Sequence, residues 1–170
     1  MKRLLTTCFG LGWLPLAPGS WGSLPSTFIF ILLCIFNLSL VARSITLVIL
    51  AFAGAYICVK LAPVSIAATG KEDPGEVVAD EVAGQAITFL AIGRVLASDI
   101  LATAMLGFLL FRFFDSVKPW PIHKVEKFPK GWGILADDLL AGVYACVALH
   151  ICYRMGLIEN LSGLMGRFGL

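Results

Sequence analysis

The chain has 170 residues, 59% hydrophobic and 14% charged, with 13 Lys and Arg against 11 Asp and Glu. Soluble domains carry roughly a quarter charged residues, so this chain lacks the polar groups to cover a water-facing surface. It reads as a single integral membrane domain over residues 1–170, and a net charge of +2 without a basic stripe excludes nucleic acid as a partner.

Residues 1–7 form a short basic lead. Only two apolar residues separate Lys2-Arg3 from Thr6, so the hydrophobic core of a signal peptide is missing and the N-terminus is expected to be retained. Residues 8–25 contain Gly10, Gly12, Pro15, Pro18, Gly19, Gly22 and Pro25. That many breakers predict a Gly/Pro-rich loop rather than a regular helix, with Trp13 and Trp21 anchoring it at headgroup level. A sharper alternative has Gly19, Ser20, Gly22 and Ser23 holding an anion with backbone N–H groups and hydroxyls ahead of a helix. It is not a P-loop, because G-x-x-x-x-G-K-[ST] is absent.

Residues 26–42 and 44–62 are apolar runs near the length of a spanning helix, about 20 residues, and predict a hairpin turning at Arg43. Residues 63–77, with Lys71, Glu72, Asp73 and Glu76, read as a water-facing connection. A third run, 77–92, carries Asp80, Glu81 and Gln85 near its start. A short turn over 93–99 leads into the fourth, 100–114. Charges then concentrate at Arg112, Asp115, Lys118, Lys124, Lys127, Lys130, Asp137 and Asp138, and a fifth run follows over 134–153. In the tail, Leu157, Leu161, Leu164, Met165 and Phe168 have the spacing of a weak interfacial helix. The fold expected is all-α: a compact bundle of about five membrane or membrane-associated helices.

With the N-terminus inside, Lys2, Arg3, Lys60, Lys71, Lys118, Lys124, Lys127 and Lys130 face the cytoplasm, against Arg43, Arg94, Arg154 and Arg167 outside. The excess of inward basic residues supports that orientation. Five crossings then bring residues 18–24, Asp80/Glu81, Arg112/Asp115 and Asp137/Asp138 to one cytoplasmic level. Each carboxylate pair sits near a helix start, where the dipole alone would stabilise it; ionisable groups in apolar segments nevertheless usually mark a site. Arg112 and Asp115 share a helix face and suit either a structural ion pair or a phosphate-and-metal pair. Gly84 follows Asp80 by one turn, and Ala141 and Gly142 follow Asp137 and Asp138, permitting close helix approach. Oxygen ligands without His or Cys suit Mg²⁺.

Other residues are read more plainly. Cys8, Cys34, Cys58, Cys146 and Cys152 show no metal or C-x-x-C spacing and read as reduced packing residues. A lone loop histidine such as His123 is more often solvated than catalytic, and His150, in mid-run, is expected to be packed. Trp120 and Trp132 read as interfacial anchors.

Taken together, APGSWGSL at 17–24, VADEVAG at 78–84, FRFFD at 111–115, KPWPI at 118–122, Gly133-Ile134, Asp137-Asp138 and Ala141-Gly142-Val143 resemble the phosphatidylglycerophosphatase A family across about residues 8–150. Ser20 stands where the family often has Thr; both supply a hydroxyl. The resemblance implies an Mg²⁺-dependent phosphatase of the cytoplasmic membrane that converts phosphatidylglycerophosphate to phosphatidylglycerol and phosphate, its site facing the cytoplasm. On that basis Asp80, Glu81, Asp137 and Asp138 are expected at the metal, Asp80, Asp115 and Asp138 as the catalytic carboxylates, and Arg112 and Lys118 with Gly19, Ser20 and Ser23 at the phosphate. Water attack and an aspartyl-phosphate route both fit. The lysines between Lys124 and Lys130 read as a topology signal and an attraction to anionic headgroups. Oligomeric state is left open. A C-x₅-R loop, a D-x-D-x-T run and the D-x₂-D-G pattern are all absent, and the two histidines are too few for the paired-histidine lipid phosphatases. The alternative reading is a small transporter or cation pathway, which would spread its charges through the membrane depth.

Overall fold

A computed structural model describes residues 1–71, 73–125 and 131–167. Glu72, Lys127, Lys130 and Phe168, all used in the sequence reading, lie outside the described residues. The described chain is all-helical, with eight α-helices rather than about five: α1 Lys2–Thr6, α2 Pro18–Ile35, α3 Leu40–Thr69, α4 Ala79–Thr88, α5 Ile100–Val117, α6 Ile122–Val125, α7 Gly131–Arg154 and α8 Leu157–Arg167. The five apolar runs correspond to α2, α3, α4, α5 and α7, and the additional helices are short. Four helices among the described residues are long and apolar enough to cross a membrane: α2, α3, α5 with the turn before it, and α7.

Several boundaries differ from the sequence expectation. Residues 18–25 are not loop but the first two turns of α2. Pro18 occupies the first helical position, where its missing N–H costs nothing, and Pro25 interrupts only one bond of the helix. The α2–α3 turn falls at residues 36–39 instead of Arg43. Asn37 adopts a left-handed φ of 51°, and Ser39 Oγ accepts from the Ala42 N–H at 3.2 Å to cap the new helix. Arg43 therefore lies one turn inside α3. That helix continues through Pro63 to Thr69, absorbing much of the expected polar connection.

α4 is the centre of the bundle. Ten residues rise only about 15 Å, half of a bilayer core, so α4 cannot cross alone. Eight of its residues are buried, and it packs against α7, α3, α2 and α5. Ser26 Oγ of α2 donates to Val82 O at 2.7 Å, and Phe89, just past α4, stacks on Phe30 at 4.2 Å. Beyond Thr88 the chain leaves helical geometry, and irregular backbone at membrane depth is tolerated only where protein satisfies its polar groups. Five consecutive carbonyls receive side chains. Cys146 Sγ donates to Leu90 O at 3.6 Å, and His150 Nε2 lies 3.2 Å from Ala91 O. Arg43 Nη2 donates to Ile92 O at 3.3 Å and Gly93 O at 2.7 Å, and Tyr153 Oη donates to Arg94 O at 2.6 Å. The five cysteines are free, and α8 closes the far end with Ile158 buried against the core.

Removing the Arg43 guanidinium would strand the buried Ile92 carbonyl and the part-buried Gly93 carbonyl, at up to about 1–3 kcal/mol each. Arg43→Met is expected to lower the unfolding free energy by about 2–5 kcal/mol in a detergent denaturation titration. Arg94→Met, at an exposed position, is expected to shift it by no more than about 0.5 kcal/mol.

Candidate active site

At the end of the bundle where α2, α4 and α7 begin and α5 ends, polar side chains line a cavity of about 400 Å³. Its position is set by one backbone contact. A Cβ on Gly84 would stand 2.5 Å from the Asp138 carbonyl oxygen, and one on Gly142 would collide with the Gly84 carbonyl. No side chain larger than hydrogen fits at either position, so α4 and α7 meet backbone to backbone. Asp80 and Asp138 each lie four residues, about one turn, before these glycines and so project at the same level.

Three elements add to the cavity wall. From the last two turns of α5 come Arg112, Asp115 and Ser116. Lys118 ends that helix in a left-handed conformation, φ 44°, with its N–H donating to Phe114 O at 2.9 Å, and its Nζ reaches Asp137 Oδ2 at 2.7 Å. Pro18 and Gly19 close the side at α2, and Asp73 reaches in from the loop between α3 and α4.

Within this wall the carboxylates divide into two groups. Asp115, Asp137 and Asp138 each place a carboxylate oxygen within 4.8 Å of the others. Glu81 instead turns toward α2 and α5: its Oε2 accepts from Arg112 Nη1 at 3.1 Å and Ser23 Oγ at 3.3 Å. A Cβ on Gly19 would collide with the Glu81 carboxylate, so that glycine is clearance for Glu81. Arg112 Nη1 also contacts Asp115 Oδ2 at 3.1 Å and bridges the two groups. Asp80 is 5% exposed, and its Oδ1 has no hydrogen-bond partner among the described residues.

The expected site residues thus fall unevenly. The structure brings Asp80, Glu81, Asp115, Asp137, Asp138, Arg112, Lys118 and Gly19 to one cavity. Ser20 is not on its wall, and its N–H donates to Ala17 O at 2.9 Å. Ser23 is buried behind the wall, where its hydroxyl faces Gly19 O and Glu81. His123 is exposed and off the wall, whereas His150 is engaged with carbonyls at the far end.

Among the described residues, six carboxylates and two cations line this space. Burial, then the neighbouring Glu81, hold the Asp80 carboxyl well above the usual carboxylate range. Burial likewise lifts Glu81 to about 7, against the opposing pull of Arg112. A bound cation would offset the cost that burial imposes on the ionised carboxylates, and oxygen donors without His or Cys among the described wall residues suit a hard divalent ion.

Asp73 and Ser116 were missed in the sequence. Asp73 stands in a polar stretch whose charges read as solvated; the one local signal is the turn-forming Asp73-Pro74-Gly75. Its loop is fastened from the N-terminus. Arg3 donates to both Glu76 carboxylate oxygens at 3.0 and 2.6 Å, Trp13 Nε1 donates to Glu76 Oε2 at 3.2 Å, and the Val78 N–H donates to Thr6 O at 2.9 Å.

The Arg3 guanidinium holds the Glu76 carboxyl below its ordinary range. A depressed carboxylate contributes stability above its unfolded pKa, about 4.3, and loses it as pH falls through the lower folded value. Glu76→Gln is therefore expected to reduce the thermal midpoint at pH 7, with the difference from wild type vanishing toward pH 3. At the helix contact, Gly84→Ala is expected to cost about 1–3 kcal/mol by overpacking. Gly163→Ala, where a Cβ meets open space, should cause no loss in the same denaturation titration.

Comparison with known proteins finds relatives along most of the chain. Residues 4–153 match the family model described as phosphatidylglycerophosphatase A. The phosphatidylglycerophosphatase A of Haemophilus influenzae is 40% identical over 151 residues, covering 86% of this chain and 85% of the relative. A Bacteroides thetaiotaomicron protein provisionally named a phosphatidylinositol-3-phosphatase is 36% identical over 151 residues, covering 87% of this chain and 91% of its own. The phosphatidylglycerophosphatase A of Escherichia coli K12 is 33% identical over 149 residues, covering 87% and 81%. No solved structure matches the chain.

Proposed function

This chain belongs to the phosphatidylglycerophosphatase A family and is a phosphoric monoester hydrolase, and on that premise we propose that it removes the terminal phosphate of phosphatidylglycerophosphate, releasing phosphatidylglycerol. The observation that carries the reading is the cavity itself, where three aspartate oxygens within 4.8 Å stand beside Arg112 and Lys118. A phosphate monoester is nearly a dianion, and slow hydrolysis of this class demands charge neutralisation at phosphorus.

The cofactor proposed is Mg²⁺. Asp115, Asp137 and Asp138 would hold it, with the unpartnered Oδ1 of Asp80 as a further oxygen donor. Bound there, it supplies Lewis acidity toward phosphoryl oxygens. The chain's own groups do the rest. Arg112, beside Asp115, and Lys118, beside Asp137, orient and neutralise the phosphate. Glu81 and Asp115 fix the guanidinium plane, and Ser23 in turn fixes Glu81. In the overall reaction the oxygen of water bonds to phosphorus as the bond to the glycerol oxygen breaks. One water proton passes to a carboxylate of the set Asp80, Asp115 and Asp138, which returns it to the leaving glycerol oxygen, while the other stays on the released phosphate. The basic residues near the cavity end, Lys2, Arg3, Lys71 and Lys124, fit a cytoplasmic orientation in the inner membrane and attract anionic lipids.

A phosphoinositide monoester is a second substrate worth the same assay, because one relative carries that name. The transporter reading gains nothing here, since the acidic cluster lies at one end of the bundle and does not follow its depth.

Purified protein is expected to release phosphate from phosphatidylglycerophosphate faster than from phosphatidylinositol 3-phosphate, to lose activity with EDTA and to recover it with Mg²⁺. Asp80→Asn and Asp138→Asn should each reduce kcat by at least about a hundredfold. Wild-type turnover in both variants would overturn the assignment.

A further inference from the structure

The end of the bundle opposite the carboxylate cavity holds a second polar cavity, of about 290 Å³, between the end of α2 and the start of α3. Its wall carries Asn37 and Ser39 from the α2–α3 turn, Arg43 from one turn inside α3, and Arg94 from the irregular segment after α4. Among the described residues, that wall contains no Asp or Glu. The 18 residues of α2 rise about 27 Å, close to the thickness of a bilayer's hydrocarbon core. The two cavities therefore stand at opposite headgroup levels.

Three features of this cavity favour an anion. Arg43 is 7% exposed, yet the groups bonded to it are uncharged. Its Nη1 donates to Cys34 Sγ at 3.2 Å and its Nη2 to the Ile92 and Gly93 carbonyls, while Nε has no partner among the described residues. A buried charge stays costly until an opposite charge faces it. Arg94 is exposed and has no ion pair among the described residues. Asp99 and Glu159 border a neighbouring cavity with it, and Asp99 accepts from the Ser98 and Ser162 hydroxyls instead. The third feature is the start of the 30-residue α3, whose dipole favours negative charge. Ser39 takes the N–H groups of Ala42 and Arg43, leaving those of Leu40 and Val41 as orphan donors.

From this wall we propose that the cavity binds a phosphate group, carried by the headgroup of an anionic phospholipid or present as free phosphate. Both sources offer the same chemistry, a tetrahedral oxyanion that accepts from guanidinium forks and from helix-start N–H groups. A water-sized group fills about 30 Å³, so the cavity has room for on the order of nine, enough for a phosphate and the ester carbons beside it. The site lies a helix length from the reacting carboxylates and presents no carboxylate of its own, so its role is binding. It stands independently of the function proposed above.

For the test, the full chain in detergent with EDTA is titrated with inorganic phosphate and, separately, with phosphatidylglycerol in mixed micelles. The thermal midpoint is followed, since a ligand of the native state raises it. Diacylglycerol, which keeps the tails and lacks phosphate, is the control lipid. Arg94→Met is expected to weaken the apparent affinity at least about tenfold, the scale of one charge-assisted hydrogen bond, and Arg94→Lys to retain most of it. Phosphate held at the carboxylate cavity contributes equally to wild type and to Arg94→Met, because Arg94 stands at the other end of the bundle. Dependence on Arg94 with phosphatidylglycerol alone assigns the lipid headgroup; dependence with inorganic phosphate assigns a site open to free phosphate. Equal affinities of wild type and Arg94→Met for both ligands overturn the site. So does a wild-type midpoint that neither ligand moves, or diacylglycerol reproducing the whole effect of phosphatidylglycerol.

Discussion

The contact on which this structure depends is the backbone approach of α4 and α7 at Gly84 and Gly142. Two helices that touch without intervening side chains bring everything one turn earlier into register, and one turn earlier stand Asp80 and Asp138. Neither carboxylate would be tolerated deep in an apolar bundle by itself. Their common position makes the cost cooperative: six acidic groups share a space with Arg112 and Lys118. That shared cavity is the feature on which the proposed cation and phosphate sites rest.

Placing a helix as short as α4 in the middle of a membrane bundle raises a second problem at its other end. The helix supplies acidic groups at one level and then stops, leaving peptide carbonyls at membrane depth without helical partners. The chain answers with side chains from α3 and α7 on each carbonyl from Leu90 to Arg94. Arg43, Cys146, His150 and Tyr153 thus belong to one structural task, although in the sequence they are scattered over more than a hundred positions.

Periodicity and composition made the five apolar runs legible, and the order of charged pairs along the chain was enough to expect them at one end. The small residues after each acidic pair were equally readable, because helical spacing converts them directly into a contact face. Boundaries were less so. Gly and Pro are breakers in water, yet Pro18 begins α2 and the glycines after it are demanded by Glu81 and Val78 packing against them, a tertiary reason invisible in a window of sequence. The turn at Asn37 was masked by the surrounding apolar run, where Arg43 looked like the obvious interruption. Asp73 was unreadable as a site residue because its approach to the cavity depends on the Arg3–Glu76 clasp, formed between residues 73 positions apart.

The division between Glu81 and the three aspartates has a consequence for the first turn of α2. Gly19 has no side chain there, and Glu81 fills the space beside it. Glu81 is held by Arg112 and Ser23, so this wall is braced by the same guanidinium that contacts Asp115. A larger residue at Gly19 would displace Glu81 and with it loosen Arg112 in one step. Helix α2 and the arginine of α5 are therefore mechanically one unit, joined through a single carboxylate.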